Sequence, residues 1–570
     1  MGITAAEALV EQLVAYGVEK IFGTCGHTNI ALLDALGRSP IDFVIARHEQ
    51  TAAHAADGYA RVSGKPGVVL LHVGPGMMNA VTGVATAALD SVPLIAIAGD
   101  IPSYLHGRHP HQEVNLHADA DQTAIYRPFV KRAWHVQRVE DLPRFTERAF
   151  WTATSGRPGA VLLNVPMDIF SRPLPAGTSY PLPVAVTRPA LPDADAERIA
   201  ELLAGAERPL IYLGGGLRNR EKLQELAEHL DIPVAHSLMA KGALPDDHPL
   251  LLGMTGFWGL KVTNDYARNA DVVLAVGTRF AETDASSWNP AYTWQFPPSK
   301  LIQIDIDPAE IGRNYPVEIG VVADAGLAIE KIAQAARKGP GRVSSTQWIK
   351  AARDELFEAS AERGRSDQFP LRPERILADV RAALPPDAVL VTDVGWNKNG
   401  VAQCYPLPAQ GRFITPGGAS TMGFGPAAAV GVQAADPERV VVALIGDGGM
   451  SAQLPAVPMA VEQGLPVIFL VMNNRAHGTI SDLQSSFYGR SYGCDFVGPD
   501  GLPYSPDFAA YGRACGADGY AVTEPGDLIE ALRTAIGNRR PAVIDVPMVN
   551  EPVPTPGHWN IKDIYQGVFD

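Results

Sequence analysis

IGDGGMSAQLPAVPMAVEQGLPVIFLVMNN, residues 445–474, holds two apolar runs that each stop at a polar cluster. VVVALI (440–445) leads into Gly446-Asp447-Gly448-Gly449, a helical pattern follows, and VIFLVM (467–472) ends in Asn473-Asn474. Short β-branched runs separated by a helical pattern predict parallel strands with a crossover helix. Glycines at a strand's carboxyl end let the backbone approach an anion, and the N-terminus of the next helix favours phosphate. Asp447 offers a hard carboxylate oxygen and Asn474 an amide oxygen at the edge of the same sheet, donors that suit Mg²⁺ held against a diphosphate. A lone Gly-Asp-Gly is ordinary turn chemistry. Two such polar clusters, each closing a strand and separated by one helical stretch, are far more specific.

The same rhythm extends in both directions. IDFVIA (41–46), VVLLHV (68–73), PLIAIAG (93–99) and AVLLNVP (160–166) read as buried strands, with helical patterns in TAAHAADGYARVSG and MMNAVTGVATAAL between them. PLIYLGG, IPVAHS, DVVLAVG and LIQIDID repeat it in a central segment, and AVLVTDVG and PAVIDVP flank the opening stretch in a third. The expected class is α/β, with three doubly wound, mostly parallel-sheet domains. A Pro-rich stretch at 171–197 and a polar one at 335–345 separate them. The boundaries are drawn at 1–172, 190–336 and 366–555, with a C-terminal tail at 556–570.

The 570 residues exceed what one core supports. Sixty-two acidic against 47 basic residues, a net charge of −15, argue against nucleic acid or an anionic membrane as partner. The four cysteines, Cys25, Cys404, Cys494 and Cys515, lie far apart without a CxxC pair, which fits a reducing cytoplasm. No signal peptide is read at the N-terminus, and no apolar run reaches membrane-spanning length.

Longer stretches carry a resemblance. RHEQTAAHAADGYARVSGKPGV (47–67), GPGMMNAVTGVATAALDSVPLIAIAGD (74–100), HQEVNLHADADQTAIYRPFVK (111–131), IDIDPAEIGRN and GGASTMGFGPAAAVG (417–431) resemble the acetohydroxyacid synthase branch of the thiamine diphosphate (ThDP) decarboxylases and carboligases, from about residue 3 to 555. The resemblance implies a pyrimidine-binding N-terminal domain, a middle domain and a diphosphate-binding C-terminal domain. It makes Glu49 the acid that hydrogen-bonds N1′ of the aminopyrimidine, so that N4′ can take the C2 proton, and it calls for a buried carboxyl with a raised pKa. Met422 becomes the apolar wedge that bends the cofactor, and the Ser420 carbonyl and Met422 N–H hold the pyrimidine edge. Asp447, Asn474 and the Ala476 carbonyl become the Mg²⁺ ligands, while Gly446, Gly448, Gly449 and Gly478 line the cofactor. Ser420 stands where the synthases usually carry glycine. The resemblance also implies at least a homodimer, and a homotetramer as the fuller assembly.

Three departures bear on the substrate. The loop Gly23-Thr24-Cys25-Gly26-His27-Thr28-Asn29 replaces the usual Pro-Gly-Gly, and His72 replaces a small residue. Both are similar to cyclohexane-1,2-dione hydrolase. His27, His72 and Gln112 would form a polar trio suited to proton transfer, although His27 could instead cap a helix and His72 could be a satisfied strand-end residue. Leu483 stands where the synthases place a tryptophan that favours a larger second substrate, while His111, Gln112 and Lys131 match the substrate-side region. LGGG (213–216), LLGMTGFWG (251–259) and GTRF (277–280) are similar to the synthase FAD site, but AETDASSW follows in place of a charged run, which leaves FAD open. The leading expectation is a ThDP- and Mg²⁺-dependent 2-oxo acid decarboxylase or acyloin carboligase. The alternative is a 1,2-diketone hydrolase or 2-hydroxyacyl lyase.

Overall fold

A computed structural model describes residues 2–563 except 115–120, 182, 183, 185, 218–220, 342–346, 552–559, 561 and 562. Of the tail expected at 556–570, only Asn560 and Asp563 fall within the described residues.

The described residues form three sheets of six strands, every pairing parallel. The first contains β1 (Lys20–Gly23), β2 (Asp42–Ile45), β3 (Gly67–Leu71), β4 (Leu94–Asp100), β5 (Arg132–His135) and β6 (Ala160–Pro166), in the order β2-β1-β3-β4-β6-β5. The second contains β7 (Pro209–Leu213), β8 (Val234–His236), β9 (Leu251–Met254), β10 (Val272–Val276), β11 (Lys300–Asp305) and β12 (Ile319–Val322), in the order β12-β11-β10-β7-β8-β9. The third contains β13 (Val389–Thr392), β14 (Arg412–Ile414), β15 (Val441–Gly446), β16 (Ile468–Asn473), β17 (Asp518–Ala521) and β18 (Ala542–Pro547), in the order β14-β13-β15-β16-β18-β17. The first and third sheets thus share one topology. The middle sheet has the strand order of dinucleotide-binding folds.

Buried strands such as LIAIAGD and AVLLNVP are covered throughout because helices pack on both faces, and their only polar side chains, Asp100 and Asn164, bond to each other. The edge strands β5, β14 and β17 carry no apolar run because one side stays open, as the half-exposed RAWH of β5 shows. The sequence patterns therefore do not reveal them.

Two helices of small residues join the first and third domains. The Glu49–Ser63 helix presents Ala52, Ala55, Ala56 and Gly58; the Phe424–Ala435 helix presents Ala427, Ala428 and Gly431. Their backbones touch: a Cβ on Gly431 would overlap the Ala55 carbonyl oxygen, and one on Gly58 would overlap that of Ala428. At one end of the crossing Arg61 bridges Asp57 and Asp90 at 2.5 and 2.7 Å and stacks over Phe424. The buried guanidinium is held protonated by two buried carboxylates, an arrangement costly to break by removing one partner.

The 445–474 stretch folds with one difference from expectation. Gly446 caps the short helix Asp447–Ala452, so the glycine turn is itself the first helical turn. The connection to β16 is two helices, Asp447–Ala452 and Ala456–Glu462, interrupted around Pro455.

Candidate active site

In parallel α/β sheets, ligands gather where the strands' carboxyl ends open into loops. Glu49 begins its helix just beyond β2. Its Oε1 accepts from Thr24 Oγ1 and its Oε2 from Asn79 Nδ2, both at 2.9 Å. Thr24 lies in the loop after β1 and Asn79 on the helix Pro75–Leu89 after β3, so three successive connections orient one carboxylate. Gly76 makes room for it, since a Cβ there would sit 3.2 Å from Glu49 Oε1 and 3.0 Å from His72 Cβ. Within one chain Glu49 is half-buried, less enclosed than the sequence led us to expect.

The expected trio is brought together beside it. His72 Nε2 lies 2.8 Å from Gln112 Oε1, and His72 Nδ1 lies 2.9 Å from Thr28 Oγ1. Thr28 Oγ1 also accepts the Val73 N–H at 3.3 Å, which leaves its hydroxyl proton for His72 Nδ1. The Gln112 amide oxygen makes Nε2 the donor there, and the Thr28 hydroxyl meets the other ring nitrogen. His72 is therefore held at both nitrogens. The exposed His27 ring meets the His72 ring edge-on at 4.8 Å between centroids and the His111 ring at 5.8 Å. Partial loss of hydration where its ring meets the neighbouring imidazoles, then the charges of His72 and His111, hold the His27 pKa below the usual histidine value.

His27 caps nothing: the next helix, Ile30–Leu36, starts at Asn29, whose side chain ties down the loop through Gly26 N, Thr24 O and Leu71 O. Gln112 itself sits at φ 64°, in the left-handed region, and Gly74 is the glycine its carbonyl requires, since a Cβ there would overlap that oxygen.

Lys131 departs from expectation. Its amine donates to the carbonyls of Thr152, Ser155 and Arg157 at 2.5 to 2.8 Å, closing the end of the helix Leu142–Thr154. It precedes β5 and so lies at the sheet's amino edge, away from the Glu49 face. Its role is structural. Leu483 is half-buried on the helix Gly478–Tyr488, of which only Ser481 is buried.

The third domain brings Asp447, Asn474 and Ala476 together. Asn474 Nδ2 donates to Asn550 Oδ1 at 2.9 Å, which turns Asn474 Oδ1 to within 3.2 Å of Asp447 Oδ1 and 3.1 Å of the Ala476 carbonyl. Reversing that amide would set oxygen against oxygen at Asn550 unless Asn550 also reversed, breaking its own N–H to Asp495. Reversed, the Asn474 amide would donate to Asp447 and the Ala476 carbonyl; with its oxygen inward, as a bound cation would require, three acceptor oxygens converge. Asp447 Oδ2 is also buried without a partner. Convergent oxygens with no proton among them form a donor set for a hard cation. Burial pushes the Asp447 carboxyl up to about 6, against the N–H groups of Gly448, Arg475 and Ala476.

A Cβ on Gly448 would lie 2.8 Å from His477 Cε1 and 3.2 Å from Met422 Cε, and one on Gly478 would collide with the Asn474 amide. Gly448 and Gly478 thus bring bare backbone to the cluster, Gly446 leaves open space beside it, and Gly449 makes room for Asp393. Met422 stands over this turn with 38% of its surface exposed, an unusual position for a large apolar side chain bordering a polar cluster. Ser420 adopts φ 48°, which explains why glycine is usual there, and its hydroxyl accepts from the buried Lys398 amine at 2.8 Å. Asp393 holds the same turn through the Gly423 and Gly425 N–H groups at 3.0 and 3.3 Å. Thr24, Thr28, Asn79, Asp393 and Asn550 were not singled out from sequence. Thr24 and Thr28 lie inside the quoted 23–29 loop, Asn79 inside 74–100 and Asp393 inside AVLVTDVG; Asn550 lay outside every quoted stretch.

Residues 3–125 match the thiamine pyrophosphate enzyme N-terminal TPP binding domain, 196–332 the central domain and 393–546 the C-terminal TPP binding domain. The chain is 34% identical to a probable acetolactate synthase large subunit of Methanocaldococcus jannaschii, over 95% of this chain and 91% of that protein. It is 34% identical to the acetolactate synthase isozyme 3 large subunit of Escherichia coli, over 95% and 94%, and 33% identical to the isozyme 1 large subunit, over 98% and 97%. The chain belongs to the thiamine pyrophosphate enzyme family and is a ThDP-dependent enzyme.

Proposed function

We propose that this enzyme is an acetolactate synthase-like decarboxylase and carboligase acting on a 2-oxo acid, with Mg²⁺ joining the cofactor's diphosphate to Asp447, Asn474 and the Ala476 carbonyl. The observation that carries the reading is Glu49, oriented at both oxygens by Thr24 and Asn79 at the mouth of the first sheet. When bound, ThDP supplies a carbanionic carbon that adds to a carbonyl and stabilises the charge left when the adjacent C–C bond breaks. Glu49 holds a proton at the pyrimidine edge, and Met422 packs under the cofactor. His27 exchanges protons with substrate, while His72, fixed by Thr28, aims the Gln112 amide.

The active unit we propose is at least a homodimer, with a homotetramer as the fuller assembly. The half-open Glu49 and the exposed Met422 and Ile480 favour a second copy as cover. No helix among the described residues is long and apolar enough to cross a membrane. A cytoplasmic setting remains our reading of the four free cysteines.

If the chain carries FAD, its place is the cavity of about 1350 Å³ bordered by Gly215, Met239, Arg279 and Asp305. The glycine run there has a packing reason as well: Gly214 and Gly216 cross the backbone of Gly277 with no room for a Cβ. The visible spectrum of the purified protein decides the point.

The imidazoles and Gln112 at the Glu49 face favour a second reading, cleavage of a 1,2-diketone by water. Turnover with added ThDP and Mg²⁺ separates the two. CO₂ from pyruvate or another 2-oxo acid supports the first, and cleavage of a cyclic or aliphatic diketone without CO₂ replaces it with the second.

A further inference from the structure

A second cluster of ligand-bearing side chains lies at the carboxyl edge of the first sheet, outside the site described above. Asp100 ends β4, His135 ends β5, and His106 lies in the segment that leaves β4. One ligand atom from each lies within 4.8 Å of the other two.

Asp100 is buried and already oriented: its Oδ2 accepts from Asn164 Nδ2 at 2.6 Å and its Oδ1 from the Ile101 N–H at 2.7 Å. His135 Nε2 faces Asp100 Oδ2 at 3.5 Å, too long for a hydrogen bond, and is buried with no hydrogen-bond partner. Two ligands on a tetrahedral Zn²⁺ stand about 3.3 Å apart, close to the Asp100–His135 separation. The exposed His106 completes the set with a ligand atom within 4.8 Å of both. Two imidazoles, one carboxylate and an open side toward solvent suit a borderline transition ion, unlike the all-oxygen set at Asp447. Asn164 is the outer partner that orients the ligating carboxylate.

We propose that Asp100, His106 and His135 bind a Zn²⁺-class ion that clasps the segment carrying Gln112 onto the first sheet. The clasp has a route to the catalytic face. Asn164 Oδ1 accepts from Gln122 Nε2 at 2.5 Å, and Gln122 Oε1 accepts from the Gly74 N–H at 3.1 Å, beside the Gln112 carbonyl.

The test uses the full-length protein, stripped with chelator, saturated with Mg²⁺ and titrated with Co²⁺ as a visible probe. One equivalent with the absorption of a four-coordinate site is expected. His106→Ala and His135→Ala should each abolish it, while His109→Ala and His27→Ala should retain it. Because His106 is exposed, its alanine variant should melt as the wild type does, which keeps the test valid if His135→Ala fails to fold. Bound Co²⁺ should also slow tryptic cleavage after the exposed Arg108 in the wild type and not in His106→Ala. No Co²⁺ uptake beyond the Mg²⁺ site would overturn the proposal. So would a signal that survives His106→Ala, or one lost instead in His27→Ala or His109→Ala.

Discussion

The Asn474 amide lies 3.2 Å from Asp447 Oδ1 and 3.1 Å from the Ala476 carbonyl, and its oxygen joins them when it donates to Asn550. Acceptors this close repel unless a cation lies among them. Asp447→Ala and Asn474→Ala should each weaken Mg²⁺-dependent ThDP binding by about tenfold or more, one decade being about 1.4 kcal/mol. Calorimetric titration of ThDP at fixed Mg²⁺ measures this. Wild-type affinity in both variants would remove the metal assignment.

The crossing of Gly431 over Ala55 leaves no volume for a methyl group. Gly431→Ala should separate the two helices at an overpacking cost of about 1–3 kcal/mol. Thermal melting should show a clear drop, whereas Gly464→Ala, on an open surface turn, should lower stability only through its positive φ.

Lys131 donates to three carbonyls at a helix end. Lys131→Met should therefore lower stability by about 1 kcal/mol, a figure kept small because the side chain is partly solvated, and leave KM and kcat unchanged. A rise in KM with unaltered melting would restore Lys131 to the substrate side.

His27 is held below the usual histidine pKa by partial loss of hydration and by the charges of His72 and His111. It therefore stays neutral, and able to accept a proton, to a pH below about 6.5. The acid limb of kcat/KM should lie under that value and vanish in His27→Ala, whose rate should fall by roughly 10²- to 10⁴-fold. A pH profile of both proteins measures it, and an unchanged limb in the variant would assign the proton transfer elsewhere.

Most of this was legible where chemistry and strand pattern coincide. GDGG and NN lie at the ends of β15 and β16 because hydrophobic runs must stop where a ligand is met. Thr24 and Asn79 were invisible as Glu49's partners because 25 and 30 residues separate them from it in the chain. Lys131 was misjudged because a motif match says nothing of which way an amine points, and three nearby carbonyls take it. The Ala and Gly pattern of the Glu49–Ser63 and Phe424–Ala435 helices was visible, but its purpose, a close crossing between two domains, needed both helices in place.

The central claim is that the Glu49 carboxyl activates bound ThDP. The most direct measurement is the rate at which the cofactor's C2 proton exchanges for deuterium, compared between wild type and Glu49→Gln at saturating ThDP and Mg²⁺. Because it needs no substrate, it stands apart from the choice between decarboxylase and hydrolase. Exchange slowed by roughly 10²-fold or more in Glu49→Gln, with ThDP still bound, is the predicted result. Equal exchange rates in the two proteins would contradict the account.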